Sequence, residues 1–319
     1  SVLMKLFLAP IQGMTIACYR NAFARHFGNI DAYYAPFIGL SKTKKISNLL
    51  LKDLLPEHNG SSINVVPQLL GNDGVLFKNF AFVISSMGYH EINWNIGCPF
   101  PMVTGKKRGA GIMPYPDMIK EFLDTACSDN TYKVSIKMRL GLNDPEEGFR
   151  VMEVLNEYPL SGVIIHARTG KQMYTGQVDL DAFNTLAASC KHEVTYNGDI
   201  FTYDNFFYIN ACLTAVKNIM LGRGALTDPF LPSVIKGCNI PSENKIGTIR
   251  DFHDDIFNYY QTRLSGARHL SDKMKEFWDY LHVHICTDKR LLKKIKKCHD
   301  SSQYTELVNQ LFDSAEWIE

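Results

Sequence analysis

Short apolar runs recur along the chain about every thirty residues, with amphipathic stretches of helical period between them. They cover 5–9, 32–38, 63–70, 91–96, 134–140, 162–167, 193–197 and 216–221. Strand-like runs that alternate with helices read as repeated βα units. Eight such units predict a closed (β/α)8 TIM barrel, with an open doubly wound sheet as the alternative. Beyond residue 240 the pattern changes. The segments 247–265, 267–286, 288–297 and 302–318 have helical periodicity and many aromatic and charged residues, and no strand-like run. The expectation is a barrel over residues 1–239 and a small all-helical C-terminal domain over 240–319.

Polar positions inside the strands change this picture from architecture to chemistry. Alternate strand residues share a face, and four strands end in polar pairs at that spacing: Asn93/Asn95, Lys137/Arg139, His166/Arg168 and Asn197/Asp199. Polar side chains in a barrel interior are costly unless they serve a ligand, and barrel enzymes keep their sites at the C-terminal strand ends. The first strand ends in Ala9-Pro10-Ile11-Gln12-Gly13, a turn that lets backbone amides approach a flat ligand. Gln68, near the end of the third, offers an amide that both donates and accepts. Asn197-Gly198-Asp199 and Gly222-Arg223-Gly224 end the last two strands, where barrels bind phosphate.

The stretch 91–116, EINWNIGCPFPMVTGKKRGAGIMPYP, places Cys98 just past a strand end with Pro99 stiffening the backbone. Three readings apply: a low-pKa thiol, a thiol held where a substrate arrives, or a small buried hydrophobe.

Composition adds bounds. Of the 319 residues, 45% are hydrophobic and 21% charged, as in a soluble globular protein, and no apolar run approaches membrane length. A net charge of +1 is no nucleic-acid signature, so any RNA contact must rest on local patches. Those available are Lys42, Lys44 and Lys45, then Lys106, Lys107 and Arg108, then the run 289–297 with Lys293 and Lys294. Eight scattered cysteines without Cys-x-x-Cys or Cys/His zinc spacing predict no metal site and a reducing cytoplasm.

Asn95-x-Gly-Cys-Pro, followed by Val103, Gly109, Gly111 and Pro116, resembles the active-site loop of tRNA-dihydrouridine synthases. The likeness extends over the other strand-end motifs from Leu8 to about Pro229, and less specifically to Lys273–Leu281. It implies an FMN-containing barrel that reduces the C5=C6 bond of a uridine in tRNA, in the D-loop, at the expense of NADPH. Carried over by residue, Ala9, Pro10, Ile11, Gln68, Lys137, His166, Asn197, Gly198, Asp199, Gly222 and Arg223 bind FMN, and Cys98 is the general acid. Asn95 lies by the reacting base. Arg139 and Arg168 face flavin or RNA, and Lys106, Lys107, Lys293 and Lys294 face tRNA. A monomer is expected. The chain departs from the family at Ile11 and Ile16, at Ala35-Pro36, and at Phe100-Pro101-Met102, where a Lys usually follows Cys-Pro. Two other readings are an FMN barrel oxidoreductase of a small pyrimidine, similar to dihydroorotate dehydrogenase, and an RNA-binding relative without catalysis.

Overall fold

The computed structural model describes residues 3–214, 216, 218–264, 266–285 and 288–319. The chain forms two compact units. The first comprises Ser1–Ala17, Ile30–Ile200 and Phe207–Gly222, and the second Cys18–Asn29, Phe201–Phe206 and Arg223–Glu319.

Among the described residues all the strands lie in the first unit: β1 Leu6–Leu8, β2 Ala32–Tyr34, β3 Ile38–Gly39, β4 Val65–Val66, β5 Gln68–Leu70, β6 Glu91–Ile96, β7 Lys133–Arg139, β8 Leu160–His166, β9 Val194–Asn197 and β10 Asn218–Leu221. Every pairing is parallel, in the order β3-β5-β6-β7-β8-β9-β10-β1-β2-β4. The ring closes through the chain itself, because β4 runs into β5 across Pro67. The eight expected runs are therefore all strands, and two of them are split. Pro36 and Pro67 lack the N–H a ladder needs, and each stands at a split. The expected run 216–221 is seen as β10, with residue 217 outside the described residues.

Three of the helices between strands start on side-chain caps. Asp73 accepts from Val75 N and Leu76 N, Asp179 accepts from Ala182 N, and Asp144 forms a capping box with Glu147. Barrel centre and wall pack differently. Ala9, Ala32, Tyr34, Val66, Ile164 and Met220 fill the middle, with Phe7 against them. Outside, Trp94 stacks on Phe122 at 3.7 Å and donates to Gly71 O.

The second unit is helical, with Ser242–Arg263, Ala267–Leu281, Lys289–Lys297 and Ser301–Ser314 as its main elements. The expected helix ends at 265 and 286 lie outside the described residues. Its core is aromatic. Phe252 packs edge-on against Tyr19, Phe23 and Phe27, and the Tyr304 hydroxyl joins His253 Nε2 at 2.7 Å and Trp278 Nε1 at 2.9 Å. Among the described residues no helix is long and apolar enough to cross a membrane.

Candidate active site

The site begins where β6 stops. Asn95 turns its Oδ1 back to accept from Gly97 N and Cys98 N, both at 3.0 Å, which ends the strand and sets Cys98 at its mouth. The loop then doubles back. Ala110 N donates to Cys98 O at 2.9 Å, and Gly109 lies so close that a Cβ would sit 2.6 Å from that carbonyl. At Gly111 a Cβ would stand 2.4 Å from Thr104 O. Both glycines are required by this close approach, and Gly109 also holds a left-handed φ of 55°.

Cys98 is only 8% exposed. Burial pushes its thiol above the ordinary value, and the opposing pull of the Phe100 amide, Arg139 and Lys137 is smaller. The group is therefore a thiol at neutral pH, able to give a proton. Of the three sequence readings, burial favours the protonated thiol over the low-pKa thiolate.

Lys137 is in register with Asn95 on the neighbouring strand. Burial lowers its ammonium to about 8, Arg139 adds to the effect and Cys98 opposes it. It has no hydrogen-bond or ion-pair partner among the described residues. Lys137 is half-buried, and a partly desolvated cation without an anion is costly, which marks it as waiting for a negative or strongly accepting group.

Arg139, His166 and Asn197 share one level of β7, β8 and β9. Arg139 Nη1 donates to Thr169 O and Met173 O, and its guanidinium lies 5.2 Å from the Tyr174 ring. Arg168 directs all five N–H groups inside the protein. They go to Asp199 Oδ1 and Oδ2 at 2.8 and 2.6 Å, to Thr175 O and Gly176 O, and to His166 Nε2 at 3.2 Å. The Arg168 donor at Nε2 makes that nitrogen the acceptor, so the imidazole carries its proton on Nδ1. Thus Arg168 and Asp199 are committed to each other, and they hold His166 and the 169–177 loop in place.

Gln68 donates to Asn93 Oδ1 at 2.8 Å and accepts from Asn95 Nδ2 at 3.0 Å, keeping one N–H uncommitted. Asn197 Nδ2 donates to Met220 O. Gly198, at φ 140, packs where a Cβ would meet Val178 Cγ1 at 2.8 Å and His166 Cδ2 at 3.3 Å. Gly222 stands against Ala9, and Ile11 closes its turn by donating from N to Thr15 Oγ1 and accepting from Met14 N, with Pro10 before it. These residues come together at the C-terminal mouth of the barrel. Arg223 is counted with the second unit, its guanidinium 5.3 Å from the Phe201 ring.

Two of the basic patches meet on the barrel rim. Asn72 Nδ2 donates to Lys106 O and Lys107 O, and its neighbour Asp73 pairs with Lys42 at 3.5 Å. Lys107 Nζ lies 4.4 Å over the Tyr115 ring. Beside them Phe100 and Met102 are 50% and 86% exposed. In the second unit, Lys293 and Lys294 are exposed on the helix Lys289–Lys297, whereas Lys296 pairs with Asp279 at 2.7 Å. Sequence reasoning missed Ser135, Tyr115 and the outward set of Phe100 and Met102. Only Ser135 carried a signal, since it precedes Lys137 by two and extends that polar face down β7.

Sequence comparisons with known proteins agree on one family. A family profile described as Dihydrouridine synthase (Dus) matches residues 7–316. A tRNA-dihydrouridine(16) synthase of Vibrio cholerae is 26% identical, over 87% of this chain and 87% of that protein. One of Neisseria meningitidis serogroup B is 28% identical over 95% and 93%. The tRNA-dihydrouridine synthase B of Pasteurella multocida is 27% identical over 73% and 69%. Among solved structures, morphinone reductase in complex with tetrahydroNAD superposes with a TM-score of 0.52 at 10% identity, over 73% of this chain and 86% of that one. Histamine dehydrogenase from Rhizobium sp. 4-9 gives 0.55 at 10%, over 78% and 46%. The structural likenesses establish the barrel fold.

Proposed function

The chain belongs to the dihydrouridine synthase family, and from that premise we propose that it reduces the C5=C6 bond of a D-loop uridine in tRNA, using FMN and NADPH. The observation that carries the reading is a buried, protonated Cys98 thiol beside an unpaired Lys137 at the barrel mouth. The Vibrio and Neisseria relatives carry position 16 in their names, so uridine 16 is the proposed target.

The residues present fit a flavin. Lys137 is a partly desolvated cation without a counter-charge, Gln68 has one free N–H, and Ala9, Gly198 and Gly222 are the small residues at three strand ends. FMN, when bound, supplies the hydride for C6. Lys137 places positive charge at the ring edge where electrons accumulate. Gln68 and His166 hold ring and tail, with Asn197, Gly198 and Gly222, and Arg223 is a further proposed phosphate contact. Pro10 and Ile11 line the turn beneath. Asn95 orients the uracil, and Cys98 donates its proton to C5.

Residues 1–239 are assigned the flavin chemistry and 240–319 the positioning of tRNA. A uracil stacked in folded RNA must leave its stack, at a cost of roughly a few kcal/mol. Contacts elsewhere must offset that cost. The stretch 97–116 has three cations and no acid, and with exposed Phe100, Met102 and Tyr115 it fits a single strand by stacking and charge. Lys293 and Lys294 are assigned phosphates.

The test is the dihydrouridine content of tRNA from a strain lacking the gene, with and without the gene restored. Loss at position 16 and recovery on restoration support the reading. Unaltered dihydrouridine in the deletion strain overturns it.

A further inference from the structure

A file of hydrogen bonds descends through the barrel from the Cys98 loop, and each link points the same way. Asn95 Nδ2 donates to Gln68 Oε1 at 3.0 Å, and Gln68 Nε2 to Asn93 Oδ1 at 2.8 Å. Asn93 Nδ2 then donates to Ser135 Oγ at 2.8 Å, and Ser135 Oγ to Glu91 Oε2 at 2.9 Å. Gln68, Asn93 and Ser135 occupy one level of three adjacent strands, in register. They are 1%, 0% and 2% exposed, so bulk water does not reach the amide links in the middle of the file.

Both ends impose this direction. At the upper end Asn95 Oδ1 accepts from Gly97 N and Cys98 N, and a backbone N–H can only donate. Asn95 must therefore turn Nδ2 to Gln68, which must turn Oε1 to meet it, and so on down. At the lower end stands a carboxylate, which can only accept. Glu91 also takes the Tyr34 hydroxyl at 3.4 Å and lines a cavity of about 380 Å³ at the N-terminal mouth with Lys5, Asp31 and Glu193. The charge thus ends the file where solvent reaches it, avoiding the cost of a carboxylate sealed in the core. A file with aligned links also gains by mutual polarisation.

We infer that Glu91 and Ser135 are positioning residues for the active site, lying about 13 Å and about 7 Å below Asn95 by the strand rise. They prevent the amides of Gln68 and Asn95 from flipping. Gln68 then always presents its spare N–H, and Asn95 always holds the Cys98 turn. The consequence for flavin and uracil rests on the function proposed above, whereas the locking itself does not.

The test uses amide hydrogen exchange of the flavin-free protein. Ser135→Ala and Glu91→Ala each break the file at its lower end. Both should speed exchange at Gly97 and Cys98 at least tenfold and leave Trp94, in the β6 backbone ladder, within twofold. Glu91→Gln keeps an oxygen that accepts and should restore protection. In the flavin-loaded enzyme, Ser135→Ala should lower kcat/KM for an unmodified tRNA transcript about tenfold, and Glu91→Gln should not. Unchanged exchange at Gly97 and Cys98 in both alanine variants overturns the inference. So does a uniform rise along β6, which would mean a merely structural loss. Wild-type protein that forms no dihydrouridine refutes the proposed function while the exchange comparison stands, since that uses neither flavin nor tRNA.

Discussion

At Cys98 the relevant fact is a proton. Burial holds the thiol protonated, and a placed acid is typically worth about 10²–10⁴-fold in rate. Cys98→Ala should lose that factor in dihydrouridine formation, measured on an unmodified tRNA transcript, while NADPH still reduces the flavin. Lys137 gives a pH dependence with a defined sign. Its ammonium is lowered to about 8, so below pH 8 it is already charged, and the proposed FMN should bind there without proton uptake. Above pH 8 binding must draw in a proton, and affinity should fall by up to about tenfold per pH unit. Titrating FMN at pH 7 and pH 9 checks this, and Lys137→Met should abolish the difference. Residue identities were legible in the sequence because polar residues at spacing two inside apolar strands are costly. Their partners were not. The pattern put Arg168 and Asp199 on interior faces of adjacent strands, but that they face each other depends on β8 and β9 registering, which no local pattern reports.

At the scale of elements, the Cys98 loop and the basic helix behave differently. The loop is held by backbone packed on backbone, so Gly111→Ala, with a Cβ 2.4 Å from Thr104 O, must displace it. A misplacement of about 1 Å can cost roughly 10²-fold. Dihydrouridine formation should fall by that order, with FMN content measured by absorbance unaltered. The helix Lys289–Lys297 buries Leu291 and Ile295 and exposes Lys293, Lys294 and Lys297. Changing those three to Glu should weaken tRNA binding and flatten its salt dependence, by about 0.9 in log–log slope for each phosphate no longer neutralised. Lys296 is left out because it serves Asp279. An unaltered slope would make this face merely solvated. Strand positions were largely legible from apolar runs. The splits at Pro36 and Pro67 were not taken up, because an apolar run says what is buried and nothing about a missing N–H, although each proline was in plain view.

At the scale of the molecule, eight βα repeats and the change of pattern near residue 240 carried the barrel and the helical segment. The recruitment of Cys18–Asn29 and Phe201–Phe206 into the second unit was illegible, since their aromatics fit any apolar core. The central claim is one chemistry at one barrel mouth, and one in-vitro measurement reaches it directly. Purified protein loaded with FMN is given NADPH and an unmodified tRNA transcript, and dihydrouridine is mapped at single-nucleotide resolution for wild type and Cys98→Ala. Dihydrouridine is expected at position 16 with the wild type, and at least a hundredfold slower formation with the variant. Equal rates from the two proteins, or NADPH consumed with no dihydrouridine formed by either, would contradict the claim.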